Sequence, residues 1–490
     1  MFAAIDLGSN SFHMIVAGES NGQLQVRDRL REMVRLAAGL DSRGHLDEAA
    51  RQRALDCLRR FGQRLRGFPR GSVRAVGTNT LRKARDASFL REAEAALGHP
   101  IEVIAGVEEA RLIYLGVAHG LPDADENRLV VDIGGGSTEL ILGKRFEPLE
   151  LESCYMGCVS YSQRFFADGT LSDRAMRSAV IAARLELQAL EEGYRELGWG
   201  QAVGASGTIK AVGEVVRANG WCEEGISLEA MRRLAAELVS AGHIDKLSLA
   251  GLKAERLPVF AGGVAVLLAI FEGLAIERMQ VSDWALREGL LYDLLGRIRH
   301  EDVRERTIVA LSERYRVDMV QAGRVEASAR DALQQVCGAW ALEGEETEHL
   351  LLWAARLHEI GLAIAHSSYH KHGAYLVANS DMPGFSSSEQ KLLAILIRGH
   401  RRKFPASLFK ELNGADKQRL QRLCVLLRLA VLLHRSHSAH GSPALRYEAD
   451  AKRLRLTFPQ GWLAEHPLTE ADLAQEADYL QGVKYTLEFS

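Results

Sequence analysis

Over the first 112 residues, apolar positions fall in short runs separated by turn residues. Ala3–Ile5 and Phe12–Val16 read as strands around a tight turn, and Val73–Val76 and Ile101–Ile104 as short strands rich in β-branched residues. Between them, Leu55, Leu58, Phe61 and Leu65 recur at helical spacing across 51–65. The pattern restarts near residue 113, with strands predicted at Leu129–Ile133 and Glu139–Leu142. From about 298 to 436 strand signals nearly vanish, and Leu-, Ala- and Arg-rich helical periodicity replaces them. The tail regains a strand-like run at Leu454–Phe458. Four segments follow: an α/β lobe at 1–112, a second at 113–297, an all-α domain at 298–436, and a small α+β domain at 437–490.

Composition narrows this only a little. Of 490 residues, 47% are hydrophobic and 26% charged, which excludes a mainly disordered or collagen-like chain. Net charge is −3, so a dedicated nucleic-acid binder, which would show a basic excess, is not expected. Any polyanion site must be a local patch. The six cysteines are scattered, and Cys154 and Cys158 lack zinc spacing, so reduced thiols and a cytoplasmic location are expected. The longest apolar run, Val259–Phe271, is shorter than the ~18 residues of a membrane span and reads as a buried helix. No secretory signal and no stable membrane insertion are expected.

The most informative pattern is an internal repeat. Ala3-Ala-Ile-Asp-Leu-Gly-Ser-Asn-Ser-Phe-His-Met-Ile-Val-Ala17 aligns without gaps on Leu129-Val-Val-Asp-Ile-Gly-Gly-Gly-Ser-Thr-Glu-Leu-Ile-Leu-Gly143. Asp6, Gly8, Ser11 and Ile15 recur as Asp132, Gly134, Ser137 and Ile141. Each copy predicts strand, tight turn, strand. Glycine and serine in such a turn let backbone N–H groups approach an anion closely. A carboxylate ahead of each turn makes sense if a divalent cation bridges it to phosphate oxygens, because bare carboxylates would repel the anion.

A third loop, Ala202-Val-Gly-Ala-Ser-Gly-Thr208, precedes a helical stretch and is another candidate anion cradle. Val281-Ser-Asp-Trp-Ala-Leu-Arg-Glu-Gly289 reads equally well as a capped helix with surface charges. In Ile104-Ala-Gly-Val-Glu-Glu-Ala-Arg111 a strand gives way to a helix at two glutamates, either of which could activate water for attack on phosphorus.

Ala4–Phe12, Gly106–Arg111, Val131–Glu139, Gly204–Thr208 and Leu286–Gly289 together resemble, in order, the motifs of the exopolyphosphatase/guanosine-pentaphosphate phosphohydrolase family. The resemblance runs over the whole chain. It implies a duplicated actin-like fold (of the sugar kinase/Hsp70-like ATPase type), followed by a helical HD-like domain and a small C-terminal domain. It implies Glu109 as catalytic base and Asp132 and Glu139 as Mg²⁺-associated, with a monovalent cation as a further cofactor. The phosphate loops fall on Asp6, Gly8, Ser9, Asn10 and Ser11, on Gly134, Gly135, Gly136, Ser137 and Thr138, and on Gly204, Ser206, Gly207 and Thr208. Arg82 matches a position on the polyphosphate path, to which the basic tract Arg398, Arg401, Arg402 and Lys403 adds a remote handhold. One departure is plain: in Leu357-His-Glu-Ile-Gly361, Glu359 occupies the place of the HD aspartate, although His366, His370, His372 and His400 are near in sequence. That domain is expected to bind a chain rather than cut it. The expected activity is release of orthophosphate from inorganic polyphosphate by a homodimer. The alternatives are hydrolysis of guanosine pentaphosphate and, in another class, non-hydrolytic sensing of polyphosphate or guanosine penta- and tetraphosphate.

Overall fold

The computed structural model describes residues 1–20, 23–41, 43–69, 71–121, 126–298, 303–410, 412, 414–437 and 443–490. The chain divides into two compact units, Met1–Asp302 and Val303–Ser490. The expected boundaries near 112 and 437 fall inside these units.

The first unit holds two sheets built on one plan. β1 (Phe2–Leu7), β2 (Phe12–Ser20), β3 (Gln23–Glu32), β4 (Val73–Gly77) and β5 (Ile101–Val103) are ordered β3-β2-β1-β4-β5. The second sheet is made of β6 (Asn127–Ile133), β7 (Thr138–Lys144), β8 (Glu147–Cys154), β9 (Gln201–Gly204), β10 (Ile226–Ser227) and β11 (Arg278–Val281). Its order, β10-β11-β9-β6-β7-β8, repeats the first sheet, with β10 added at the edge. In each copy a three-stranded antiparallel meander leads into parallel strands. This is the duplicated actin-like fold, and the Asp6 and Asp132 hairpins are its equivalent first turns.

Among the strands not predicted are β3 and β8. Each is the outer strand of its meander, and charged side chains interrupt its apolar period (Arg-Asp-Arg-Leu-Arg-Glu in β3, Glu-Leu-Glu in β8). The Val259–Phe271 run lies within the helix Leu257–Gly273, whose side chains fill the core beneath the second sheet. By length and composition alone, Ala254–Gly273 would suffice to cross a membrane.

The helices Gly106–Gly120 and Leu286–Ile298 cross between the sheets, sharing a core with Ala4, Ile15, Val130, Ile141 and Val203. Their backbones touch. A methyl group on Gly289 would overlap the Leu112 carbonyl, and one on Gly116 the Ala285 carbonyl. A buried ion network closes the crossing. Arg111 donates to Glu108 at 2.7 and 2.9 Å and to Asp293 at 2.5 Å, and Arg74 of β4 also donates to Asp293. Burial alone would raise the Asp293 carboxyl, but Arg111, Arg74 and Arg297 hold it far below the usual range.

In the second unit the helices Val303–Arg314, Met319–Trp340, Glu345–Leu357, Ser387–Gly399 and Gly414–Leu433 pack with a three-stranded sheet. That sheet is formed by β12 (Arg446–Asp450), β13 (Arg453–Thr457) and β14 (Thr486–Phe489). Helical and C-terminal segments share one hydrophobic core, in which Tyr485 meets Trp340 edge-on at 6.1 Å. Arg428 and Glu476 form a buried ion pair across the two segments.

Because backbone cannot yield as a flexible side chain can, Gly289→Ala should cost roughly 2 kcal/mol of overpacking. That corresponds to a melting temperature lower by about 4–8 °C, measured by calorimetry. An unchanged melting temperature would mean that the two helices separate freely.

Candidate active site

A cavity of about 340 Å³ opens in the first unit. It lies at the carboxyl ends of the parallel strands, where loops after the strands present backbone and side chains. Asp6 comes from the end of β1, Thr78 and Asn79 follow β4, and Glu109 follows β5. Asp132 and Gly134 come from the end of β6, Ser206 and Gly207 follow β9, and Arg287 follows β11.

The two hairpin turns meet here. A Cβ on Gly135 would come within 2.9 Å of Ser9 Cβ, and one on Gly136 within 2.7 Å of Asn79 Oδ1, so only glycine lets the loops nest. In the first loop, the Ser9 and Asn10 carbonyls accept from the Ala37 and Arg35 amides at 2.9 and 2.8 Å, which leaves donors rather than acceptors for an anion. In the second, the Gly134 amide donates to the Ser137 carbonyl at 2.9 Å and is thereby used within the turn. The third loop caps its helix, Gly207–Ala218, through Ser206 Oγ and opens that helix's N-terminus onto the cavity.

Asp6, Gly8, Ser9, Asn10, Ser11, Glu109, Asp132, Gly134, Gly135, Ser137, Ser206, Gly207 and Thr208 all line the cavity. Gly136, Thr138, Glu139, Gly204 and Arg82 do not. Thr138 is fully buried, and its hydroxyl donates to the Met156 carbonyl at 2.6 Å, so it is not a free phosphate donor. Glu139 is buried behind Asp132 and accepts from Ser153 Oγ at 2.9 Å. Arg82 is bound to Glu109. Its Nη1 donates to Glu109 Oε2 at 2.8 Å and to the Ile104 carbonyl at 2.9 Å, fixing the glutamate. Of the basic tract, Arg401 and Arg402 line a separate cavity in the second unit, and Arg398 and Lys403 do not.

Electrostatics set this site apart. Burial, and next the charge of Glu109, push Asp6 and Asp132 each up to about 7. Glu139 is raised further by burial, Glu109 and Asp132. Glu109 is itself raised by burial, against the pull of Arg82. Such a cluster calls for protons or a cation. Among the described residues, no three His, Cys, Asp or Glu side chains converge on a metal-sized point. The set therefore fits a hard divalent ion that takes one or two carboxylates and completes its shell with water and phosphate oxygens.

Several residues that the sequence reading left out complete the cavity. Arg31, Lys210, Lys253, Arg256 and Arg287 bring positive charge to its wall. Arg287, read above as a surface charge, donates to His13 Nδ1 at 3.0 Å. A guanidinium has no lone pair to offer, so Nδ1 accepts and Nε2 carries the proton toward Ser11 Oγ, 2.7 Å away. Burial and Arg287 hold the His13 pKa down to about 3, keeping it neutral. The Ser11 hydroxyl, already accepting from His13, is left to donate into the cavity.

Residues 15–298 match the Ppx/GppA phosphatase family, and residues 303–477 match domain III of the Ppx/GppA phosphatases. The chain belongs to the Ppx/GppA phosphatase family. It is 43% identical over 482 residues to the guanosine-5′-triphosphate,3′-diphosphate pyrophosphatase of Aeromonas hydrophila, covering 98% of this chain and 97% of that one. Identity to the Aeromonas salmonicida protein of the same name is 42% over 482 residues. Among solved structures, an exopolyphosphatase from Cytophaga hutchinsonii superposes with a TM-score of 0.55 at 26% identity, over 60% of this chain and 97% of that one. Like the rest of the Ppx/GppA family, the protein is a hydrolase of phosphoanhydride bonds.

Two outcomes follow for this Ppx/GppA site. Arg82→Met removes the charge that lowers Glu109, so the acidic limb of the kcat/KM–pH profile should move up by about 1 unit. An unmoved limb would separate Arg82 from the base. Asp6 and Asp132, raised in the folded state, contribute stability that is complete below their ordinary 3.8 and lost as pH rises through about 7. In chelator, the melting temperature should therefore fall over that window relative to an Asp6→Asn/Asp132→Asn variant. A divalent cation should restore it at pH 8, and identical pH slopes would refute the strained pair.

Proposed function

We propose that this protein removes the terminal phosphate from the 5′-triphosphate of guanosine 5′-triphosphate 3′-diphosphate. The observation that carries this reading is the 43% identity, across 98% of the chain, to an Aeromonas hydrophila protein named for that substrate. It reverses the preference of the sequence reading, which ranked inorganic polyphosphate first.

The residues support an in-line displacement. The γ-phosphoryl group sits between the Gly8–Ser11 turn and the Ser206–Thr208 helix start, with Ser11 and Arg287 donating to its oxygens. Glu109, held by Arg82, takes a proton from water as the water oxygen bonds to phosphorus. The bridge to the β-phosphate breaks, and that phosphate leaves with the bond electrons. Asp6 and Asp132 would hold a divalent cation, Mg²⁺ by its preference for carboxylate and phosphate oxygen, which neutralises charge on the phosphates. Lys210, Lys253, Arg256 and Arg31 lie where a second, separate phosphate arm is received.

Inorganic polyphosphate is the second reading, supported by the likeness to the Cytophaga hutchinsonii exopolyphosphatase. The deciding measurement is phosphate release from guanosine 5′-triphosphate 3′-diphosphate, long polyphosphate and ATP, compared as kcat/KM. The guanosine compound should lead by at least tenfold, and a lead for polyphosphate would overturn the assignment. Glu109→Gln should lower turnover on the preferred substrate by about 10²–10⁴-fold while binding persists. Near-normal turnover would move the base elsewhere.

A further inference from the structure

The second unit has a cavity of its own, about 430 Å³, which the reaction above does not use. Its lining combines two chemistries. Arg401 and Arg402 are part of the wall, and among the described residues neither has a carboxylate within ion-pair distance; Arg401 lies 4.5 Å over the Tyr369 ring. Other charged groups of the wall are spoken for. Arg428 pairs with Glu476, Arg435 with Asp472 at 2.6 Å, and Glu359 with His437 at 3.2 Å.

Two buried imidazoles, His358 and His400, also line the cavity. Each places Nδ1 2.7 Å from a carbonyl three residues earlier, Ala355 or Ile397. A carbonyl only accepts, so Nδ1 carries the proton in both rings and each Nε2 presents a lone pair. The Tyr369 hydroxyl lies 3.4 Å from His400 Nε2 and can donate to it. His358 Nε2 has no hydrogen-bond partner although its side chain is only 1% exposed. The Glu359 carboxylate stays 3.9 Å away and offers no hydrogen. A buried acceptor left unmet is costly, so this atom is poised for a donor brought from outside. No third His, Cys, Asp or Glu converges with these rings on a metal-sized point among the described residues, which favours a hydrogen-bonding ligand over a metal.

We propose that this cavity binds a small phosphate ester, phosphate toward Arg401 and Arg402, whose other end gives an N–H or O–H hydrogen bond to His358 Nε2. Nucleotides have both ends, with a ring N–H or amine at a distance from the phosphate and a base able to lie against tyrosine. The cavity volume is in the range of ordinary small-molecule sites.

The test uses the full chain and calorimetric titration with guanosine monophosphate, ribose 5-phosphate and inorganic pyrophosphate. Arg401→Gln/Arg402→Gln, changed at the rim where folding is not at stake, should weaken nucleotide binding at least tenfold. Arg287→Ala, which alters only the reaction cavity, should leave that binding intact. His358→Leu should weaken the nucleotide and spare pyrophosphate. Nucleotide binding that survives in the double arginine variant, or disappears in Arg287→Ala, would overturn the proposal. Pyrophosphate or ribose 5-phosphate binding as tightly as the nucleotide would also overturn it, reducing the site to a basic patch.

Discussion

The reaction cavity depends on one close contact, the crossing of the Gly106–Gly120 and Leu286–Ile298 helices. Gly116 and Gly289 remove the side chains that would hold the two backbones apart. Each helix begins at the cavity. Glu109 sits in the first turn of one and Arg287 in the first turn of the other, so the crossing fixes where both side chains enter the cavity. The Glu108–Arg111–Asp293–Arg74 network lies on the same helices. Buried ion pairs add little net stability because desolvation offsets the attraction, but loss of one partner is costly, and so such a network specifies one register. A helix shifted by one turn would leave at least one charge without a partner.

Against that rigid frame the site holds a deliberate conflict. Asp6, Asp132, Glu139 and Glu109 are buried together, and the charge of Glu109 raises the other three. In an apolar interior this would simply be destabilising. Here it is a standing demand for positive charge, met in part by Arg82, which lowers Glu109, and by Arg287, which lowers Asp6 and Asp132. The same carboxylates tie the stability of the cavity to the charge placed in it, because both act through one local field.

Phosphate-loop chemistry was legible in the sequence because it is local. Asp-x-Gly-x-x-Ser needs only neighbouring residues to form its turn, and its recurrence at Asp132 disclosed a duplication that the sheet orders repeat. The strand–helix junction bearing Glu108 and Glu109 was legible for the same reason; the choice of Glu109 came from the family resemblance, and Glu109 is the one that lines the cavity. The pairings of other residues carried no such signature. Arg82 and Arg287 fall at positions that match the family, and His13 lies within the repeat, yet their partners, 27, 274 and 2 positions away, are set by the fold. The strands β3 and β8 escaped notice because an edge position does not require an unbroken apolar face.

By itself, then, the sequence determined the two-lobed α/β plan, the helical character of the second unit, the glycine–serine cradles and the acidic residues beside them. These are short-range matters of backbone freedom, periodicity and spacing. Only the tertiary structure decided that Glu139 and Thr138 withdraw from the cavity while His13 and Arg287 enter it. It also decided that Arg82 is bound to Glu109, and that of the basic tract only Arg401 and Arg402 line a cavity. Burial and partner choice for a charged side chain depend on residues hundreds of positions distant, brought within a few ångströms by helix crossing and sheet twist, and no local pattern encodes that distance.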